Sequence, residues 1–274
     1  RIFDPDTVTK NFGQLGFAPA EEAAWRAMIA RPHGIVLVTG PTGSGKTTTL
    51  YTTLKQLAVP EVNVCTVEDP IEMIVPELNQ MQVQPAIELT FAQGIRTLLR
   101  QDPDIIMVGE IRDLETAQMA VQAALTGHLV LSTLHTNDAA SAITRLLDLG
   151  VPHYLIQNVL IGVMAQRLVR TLCPHCKGTD RIDDALWEAL VRPWPLPKPE
   201  AIGAPRGCPE CRNTGYLGRV GLYELLTVTP ELRRLFRADM DEETLRRSTF
   251  EQGMRPLRVG AALQIAAGLT TFEE

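Results

Sequence analysis

The residue types and spacing with the clearest chemistry lie in one segment, Gly40-Pro41-Thr42-Gly43-Ser44-Gly45-Lys46-Thr47. Glycines let backbone N–H groups approach a phosphate closely, because no Cβ atom intervenes. Lys46 is predicted to reach the β- and γ-phosphates of a nucleotide, and the Thr47 hydroxyl is predicted to bind Mg²⁺. The segment follows an apolar run and opens a helical pattern, so it indicates an ATP-binding P-loop rather than a plain glycine-rich turn. The predicted nucleotide-binding residues are Gly40, Pro41, Thr42, Gly43, Ser44, Gly45, Lys46, Thr47 and Thr48.

Carboxylates follow two other apolar runs. Glu110 lies just beyond residues 105–108, and the acidic cluster Glu68-Asp69-Pro70-Ile71-Glu72 follows residues 62–67. Open parallel sheets bind ligands at the carboxyl ends of their strands. Glu110 is therefore predicted to join Thr47 at a magnesium site. The alternative is a solvated turn, since an isolated acidic residue after a strand is common.

Four of the five cysteines form two Cys-x-x-Cys pairs, Cys173/Cys176 and Cys208/Cys211. This spacing predicts a zinc site. Two disulfides are the alternative, but a protein that uses ATP normally works in the reducing cytosol. Four thiolates leave no open position on Zn²⁺, so the metal is predicted to be structural. Cys65, inside an apolar run, is interpreted as a small buried side chain.

The predicted strands are short apolar runs without alternation, as expected for parallel strands covered on both faces. Thr90 and Gln93 predict a capping box for the following helix, and Asn137 or Asp138 is predicted to cap a later one. Together these patterns predict a three-layer α/β domain. The predicted strands are 35–38, 62–67, 105–108 and 128–133.

The C-terminal part differs in composition and in its predicted elements. Residues 192–199 are rich in proline and suit neither a regular helix nor a central strand. Residues 215–226 suggest a hairpin, and a smaller, mostly helical C-terminal lobe is predicted after it. The predicted helices of this lobe are 231–237, 242–252 and 257–267.

Composition limits the class of protein. The chain has 274 residues, 45% of them apolar, and a net charge of −6. The charge argues against broad attraction to nucleic acid, and no apolar stretch reaches the roughly 20 residues that a bilayer span needs. No signal peptide is predicted. The numbering begins at Arg1 without a methionine, so we expect sequence upstream of it.

In this order the motifs resemble those of the AAA-like ATPases that power type II secretion and type IV pilus assembly, over nearly the whole chain. Beside the P-loop, the aspartate box of that family resembles residues 67–72, its Walker B motif residues 104–113, and its histidine box residues 126–138. The cysteine pairs resemble those of secretion and pilus-extension members. Pilus-retraction members usually lack them.

The resemblance implies roles for individual residues. Glu68 would position or deprotonate the attacking water and Glu110 would hold magnesium, although both carboxylates could share this work. His135, and also His128, would sense the γ-phosphate. Taken alone, either histidine is more simply a structural one.

Several arginines match positions where the family keeps arginine, namely Arg1, Arg96, Arg100, Arg112 and Arg145. The planar guanidinium pairs bidentately with phosphate oxygens, within one subunit or across a subunit boundary. A solvated helix face is the alternative for Arg96 and Arg100. The complete set of predicted catalytic residues is Glu68, Glu110, Lys46, His135, Arg96 and Arg112.

The resemblance also implies a RecA-like P-loop NTPase fold divided into four parts. The predicted parts are the end of a truncated N-terminal domain and linker at 1–20, the ATPase core at 21–170, the zinc-binding insertion at 171–214, and the C-terminal lobe at 215–274.

The predicted protein is a hexameric motor that uses ATP, Mg²⁺ and Zn²⁺ and acts on an inner-membrane platform protein. A cytoplasmic membrane-anchoring partner is expected, with a cytoplasmic location at the inner membrane, no membrane span and no nucleic acid. Secretion and pilus assembly share these motifs and are not separated by them. The alternatives are a pilus-retraction ATPase, a nucleic-acid-binding translocase and a nucleotide-gated scaffold.

Overall fold

A computed structural model describes residues 10–274. Arg1, whose predicted contact with nucleotide is named above, lies outside the described residues. The strands are β1 (Gly34–Thr39), β2 (Val64–Glu68), β3 (Asn79–Gln82), β4 (Ile105–Val108), β5 (Leu129–Leu134), β6 (Leu160–Leu172), β7 (Gly178–Asp180), β8 (Ile202–Ala204) and β9 (Tyr216–Thr227). The α-helices are α1 (Phe12–Leu15), α2 (Pro19–Ile29), α3 (Lys46–Leu57), α4 (Phe91–Leu98), α5 (Leu114–Leu125), α6 (Ala139–Asp148), α7 (His153–Val159), α8 (Asp184–Val191), α9 (Pro230–Arg233), α10 (Glu242–Glu251) and α11 (Leu257–Ala266).

Seven strands form the main sheet, in the order β3-β2-β4-β5-β1-β6-β9. The first six run parallel and β9 is antiparallel to β6. Side chains of α4, α5, α6 and α7 belong to one apolar core, and those of α2 and α3 belong to a second. The helices therefore cover both faces of the sheet, and the predicted three-layer α/β sandwich is confirmed. Among residues 10–274, no helix is both long and apolar enough to cross a bilayer.

The parallel pairing brings the predicted site segments to one edge of the sheet. The P-loop follows β1, Glu68 ends β2, Glu110 follows β4 and His135 follows β5. The register keeps these ends level, since Val67 pairs with Val108 and Thr39 pairs with Leu134. Four chain segments that lie far apart in sequence thus end at one side of the sheet.

Two local predictions are wrong. Residues 215–226 form no hairpin of their own, because β9 is one long strand that pairs with β6. Period-two alternation predicts a strand but does not identify its partner, which here comes from a distant segment. The capping box at Thr90 is only half formed: Thr90 accepts from Gln93 N at 3.2 Å, whereas the Gln93 side chain accepts from Arg96.

Asp138, rather than Asn137, caps α6, and it also joins that helix to the C-terminal helices. Its Oδ1 accepts from Ser141 N at 2.8 Å, and its Oδ2 accepts from Arg246 of α10 at 2.9 Å. Arg246 also binds Glu242, which in turn accepts from Ser141 Oγ. A charged network therefore links the end of the histidine box to α10.

A second carboxylate joins the same parts of the chain. Glu224 of β9 is buried and accepts from Ala139 N at 2.9 Å and from Leu257 N at 3.3 Å. These amides begin α6 and α11, so one side chain caps both helices at their positive ends. Burial raises the pKa of Glu224 above its usual value. The histidine box, β9 and α11 thus meet at a single buried group.

We predict that Asp138→Ala destabilises the protein more than the matched change Asp113→Ala. Asp113 caps α5 through Thr116 N at 2.8 Å and forms no ion pair within residues 10–274. Loss of a cap costs about 1 kcal/mol. Asp138→Ala also removes the ion pair with Arg246, so its total loss in the free energy of unfolding should be roughly 1.5–2 kcal/mol. Urea unfolding measures both values, and equal losses would contradict the proposed link to α10.

Candidate active site and metal centre

The glycines of the P-loop adopt backbone conformations that other residues rarely reach. Gly40, Gly43 and Gly45 have φ values of 146°, 84° and 89°. A Cβ atom on Gly40 would lie 2.5 Å from Gln166 O and 2.7 Å from Ser44 Oγ. The loop is thus held tightly against β6, with its backbone free to face a ligand.

Lys46 begins α3, at the positive end of that helix. Its Nζ donates to Gly40 O at 2.7 Å and to Pro41 O at 3.2 Å. Burial lowers the pKa of Lys46, and the charge of Glu110 acts in the opposite direction. The Ser44 hydroxyl is buried without a hydrogen-bond partner among the described residues. A phosphate group would satisfy these polar groups, so the loop fits a nucleotide.

Glu110 and His135 come together beside the P-loop. His135 Nε2 lies 3.6 Å from Glu110 Oε2, and Arg112 Nε lies 2.6 Å from the same oxygen. The pKa of His135 lies below its usual value, because burial and the nearby Lys46 charge disfavour the protonated ring. Both effects favour the neutral form of the His135 ring.

Glu68 is buried, with only 4% of its surface exposed. Its carboxyl group accepts hydrogen bonds from Tyr51 Oη at 2.6 Å, Thr66 Oγ1 at 2.6 Å and Gln80 Nε2 at 3.2 Å. Protein donors thus occupy the Glu68 carboxyl group, which was predicted to position or deprotonate the attacking water. This environment suits an anchoring role better than contact with water.

Glu72 was not among the predicted catalytic residues, yet its side chain is exposed. Its negative charge partly opposes the lowering of the Lys46 pKa. The sequence signal was available, because Glu72 closes the acidic cluster that begins at Glu68. Spacing alone did not show which of the two carboxylates is buried.

The predicted arginines and His128 lie in different places. Arg96 binds Gln93 and approaches Glu115 of α5 at 4.0 Å, while Arg100 and Arg145 are exposed on the surface. His128 Nδ1 lies 2.9 Å from Ala123 O. β5 separates it from His135 by about 20 Å, so the prediction that His128 senses the γ-phosphate is wrong.

Two residues of β6 also reach the loop and were not predicted. Gln166 accepts from Thr49 Oγ1 at 2.9 Å. Arg167 donates to Asn137 O at 2.7 Å, and its charge lowers the pKa of Lys46. No local motif distinguishes them, because they lie in a strand whose proximity to the P-loop depends on sheet order.

The four paired cysteines converge, and all five cysteines of the chain are free thiols. Sγ–Sγ distances are 3.8 Å for Cys173 and Cys208, 3.8 Å for Cys176 and Cys211, and 3.7 Å for Cys208 and Cys211. A tetrahedron with metal–sulfur bonds of about 2.3 Å has edges of about 3.8 Å. The geometry therefore fits one tetrahedral metal ion.

Backbone amides surround these sulfurs. Gly207 N lies 3.3 Å from the Cys176 sulfur, and Cys208 N and Gly215 N lie 3.2 and 3.3 Å from the Cys211 sulfur. Such N–H···S contacts stabilise thiolates and orient them for a metal. The cluster joins the end of β6 to the start of β9, outside the nucleotide site.

Known proteins resemble this chain over its whole length. Residues 1–274 match the family described as type II/IV secretion system protein. A type IV pilus assembly ATPase, TfpB of Acinetobacter baylyi, is 56% identical over 100% of this chain and 47% of its own length. The type II secretion system protein HxcR of Pseudomonas aeruginosa is 50% identical over 100% of this chain and 54% of its own. The chain thus spans about half the length of these relatives.

A solved structure supports the fold. The pilus retraction motor PilT with bound ADP superposes with a TM-score of 0.67 at 30% identity, covering 96% of this chain and 65% of that one. Both the sequence and the architecture lead to the same assignment. The chain belongs to the type II/IV secretion system protein family.

Proposed function

We propose that this chain is the ATP-hydrolysing core of a motor for type II secretion or type IV pilus assembly. The observation that carries the proposal is the meeting of Lys46, Glu110 and His135 at the end of three parallel strands. The P-loop supplies backbone N–H donors for phosphate, and the Glu110 carboxylate supplies a ligand for Mg²⁺. The names of the relatives support secretion and pilus assembly equally.

ATP would bind along Gly40 to Thr48, with Mg²⁺ held by Thr47 and Glu110. Magnesium supplies charge neutralisation on the transferred phosphoryl group. We assign the orientation of the attacking water to Glu72 in place of Glu68, because protein donors occupy the Glu68 carboxyl group whereas Glu72 is exposed. Arg112 would neutralise Glu110 between turnovers, since it already pairs with it.

His135 would transmit the loss of the γ-phosphate to the rest of the molecule. Three residues after it, Asp138 caps α6 and binds Arg246 of α10. A shift of the histidine box would therefore move the C-terminal helices. We keep the division into an N-terminal remnant at 1–20, a core at 21–170, a metal-binding element at 171–214 and a lobe at 215–274 as part of this proposal.

The protein would act as a homo-hexamer that moves an inner-membrane platform protein, with a cytoplasmic partner anchoring it at the membrane. Arg96, Arg100 and Arg145 are exposed, so they are available to a neighbouring subunit. Pilus retraction is a weaker candidate, because PilT is 30% identical whereas the pilus assembly relative is 56% identical. No specific observation favours a nucleic-acid translocase.

We propose that the cysteine cluster holds Zn²⁺ in a structural role. Four sulfur ligands and separations of 3.7–3.8 Å suit this ion, and no ligand position is left for water. The ion would tie β6 to β9 and close the base of the insertion that contains α8. Magnesium prefers oxygen ligands and is not expected there.

Hydrolysis should depend on Glu110 and Lys46. We expect Glu110→Gln to lower kcat for ATP about 100-fold or more while ATP still binds, because a carboxylate is lost and its shape is kept. Lys46→Ala should abolish both hydrolysis and tight binding. Phosphate release and fluorescent-nucleotide titration measure these effects. Glu61→Gln, an exposed change between α3 and β2, is the control. A Glu110→Gln variant as fast as the parent would favour the scaffold alternative.

The zinc assignment is tested by metal content. Freshly reduced protein should contain about one zinc per chain, because the four thiols form a single cluster. Cys208→Ser should lose the zinc and the thermal stability that it provides, whereas Cys65→Ser, at a buried cysteine outside the cluster, should keep the metal. Plasma emission spectrometry gives the stoichiometry. A value far below one in the parent would contradict the assignment.

A further inference from the structure

Glu68, Tyr51 and Gln80 form a buried cluster that we call the Glu68 clamp. Glu68 and Tyr51 are 4% and 0% exposed. Tyr51 Oη lies 2.6 Å from Glu68 Oε2, and Gln80 Nε2 lies 3.2 Å from Glu68 Oε1. The three residues come from α3, β2 and β3, so the clamp connects three separate elements.

The clamp also holds the backbone of residues 73–75. Met73 O lies 2.9 Å from Gln80 Nε2 and 3.1 Å from Tyr51 Oη. Because a hydroxyl has one proton, Tyr51 donates to the nearer carboxyl oxygen and Gln80 donates to Met73 O. Gln80 Oε1 accepts from Val75 N at 2.7 Å. The Gln80 amide therefore binds a carbonyl and an N–H of one short backbone segment.

The backbone just before Glu72 is also restrained. Ile71 N donates to Gln82 Oε1 at 3.3 Å. Gln82 and Gln80 both lie in β3, which pairs with β2 through Glu68 and Gln82. Glu72 thus lies between two backbone positions that β3 side chains fix, while its own side chain remains exposed.

Tyr51 connects this segment to the phosphate cradle. It lies in α3, the helix that begins with Lys46. Burial, followed by the hydrogen bond to Glu68, raises the pKa of Tyr51 far above its usual value, so the hydroxyl stays a donor at any working pH. A rigid helix therefore carries Lys46 at its start and Tyr51 one turn and a half later. Tyr51 Oη lies 3.1 Å from Gln80 Nε2, so Tyr51 reaches the Glu72 segment through Gln80.

We propose that Glu68 is a positioning residue, which acts through Tyr51 and Gln80 to fix the backbone that presents Glu72 to the nucleotide site. The inference rests on the proposed function, because Glu72 has a role only if ATP is hydrolysed. In this arrangement the Glu68 carboxyl group accepts hydrogen bonds from Tyr51 and Gln80 and does not contact the attacking water.

Kinetics distinguish a positioning residue from a general base. We expect Glu72→Gln to lower kcat about 100-fold or more, and Glu68→Gln and Tyr51→Phe to lower it about three- to tenfold. The KM for ATP should change less than about twofold, because the P-loop contacts are unaffected. A Glu68→Gln loss as large as that of Glu72→Gln would overturn the inference.

A double-mutant cycle tests whether Tyr51 acts on hydrolysis through Glu72. In a Glu72→Gln background, Tyr51→Phe should cause less than about a twofold further loss, because its effect passes through Glu72. Equal fold losses in both backgrounds would contradict the clamp. The matched control is Tyr223→Phe, which removes an equally buried hydroxyl that donates to Leu15 O. It should leave kcat unchanged.

Amide hydrogen exchange gives a readout that does not require hydrolysis. Tyr51→Phe should speed exchange in residues 71–75 about tenfold, and Tyr223→Phe should not. Unchanged exchange there in Tyr51→Phe would overturn the clamp even if the protein proves inactive. An inactive parent with faster exchange in the variant would instead contradict only the proposed function.

Discussion

The parallel pairing of β1, β2, β4 and β5 is the constraint on which the rest of the site depends. Each of these strands ends at the same edge of the sheet, so the P-loop, Glu68, Glu110 and His135 meet without any direct sequence proximity. The strands are buried on both faces, which fixes their register. The chemistry then requires only short turns after each strand.

Charge balance around Lys46 explains how the site can respond to a nucleotide. Burial and Arg167 disfavour the ammonium group, whereas Glu110 and Glu72 favour it. Arg112 and His135 both approach Glu110. A change of charge on a bound phosphate would therefore alter the electrostatic interactions of all three side chains. Asp138 binds Arg246 of α10, and Glu224 binds the first amides of α6 and α11. Both side chains therefore connect the start of α6 to the C-terminal helices. The histidine box thus has His135 beside Glu110 at one point and Asp138, three residues later, bound to α10.

Much of this arrangement follows from local sequence. Apolar runs bounded by turn residues identified β1, β2, β4 and β5, and cysteine spacing identified a cluster that the structure assembles. What the sequence could not show depends on long-range packing. The partner of β9 lies about fifty residues upstream, and the burial of Glu68 depends on Tyr51 and Gln80 arriving from other elements. His128 and His135 share one motif but lie at opposite ends of a strand.

In the proposed mechanism Lys46, Glu110 and Glu72 face the nucleotide while Glu68 stays bound to Tyr51. A crystal structure of the protein with Mg²⁺ and a non-hydrolysable ATP analogue tests this most directly. We expect Lys46 Nζ to leave Gly40 O for the phosphates and the Glu72 carboxylate to point toward the γ-phosphate, with the Tyr51–Glu68 hydrogen bond intact. A Glu68 carboxylate released from Tyr51 and directed at the γ-phosphate would contradict it.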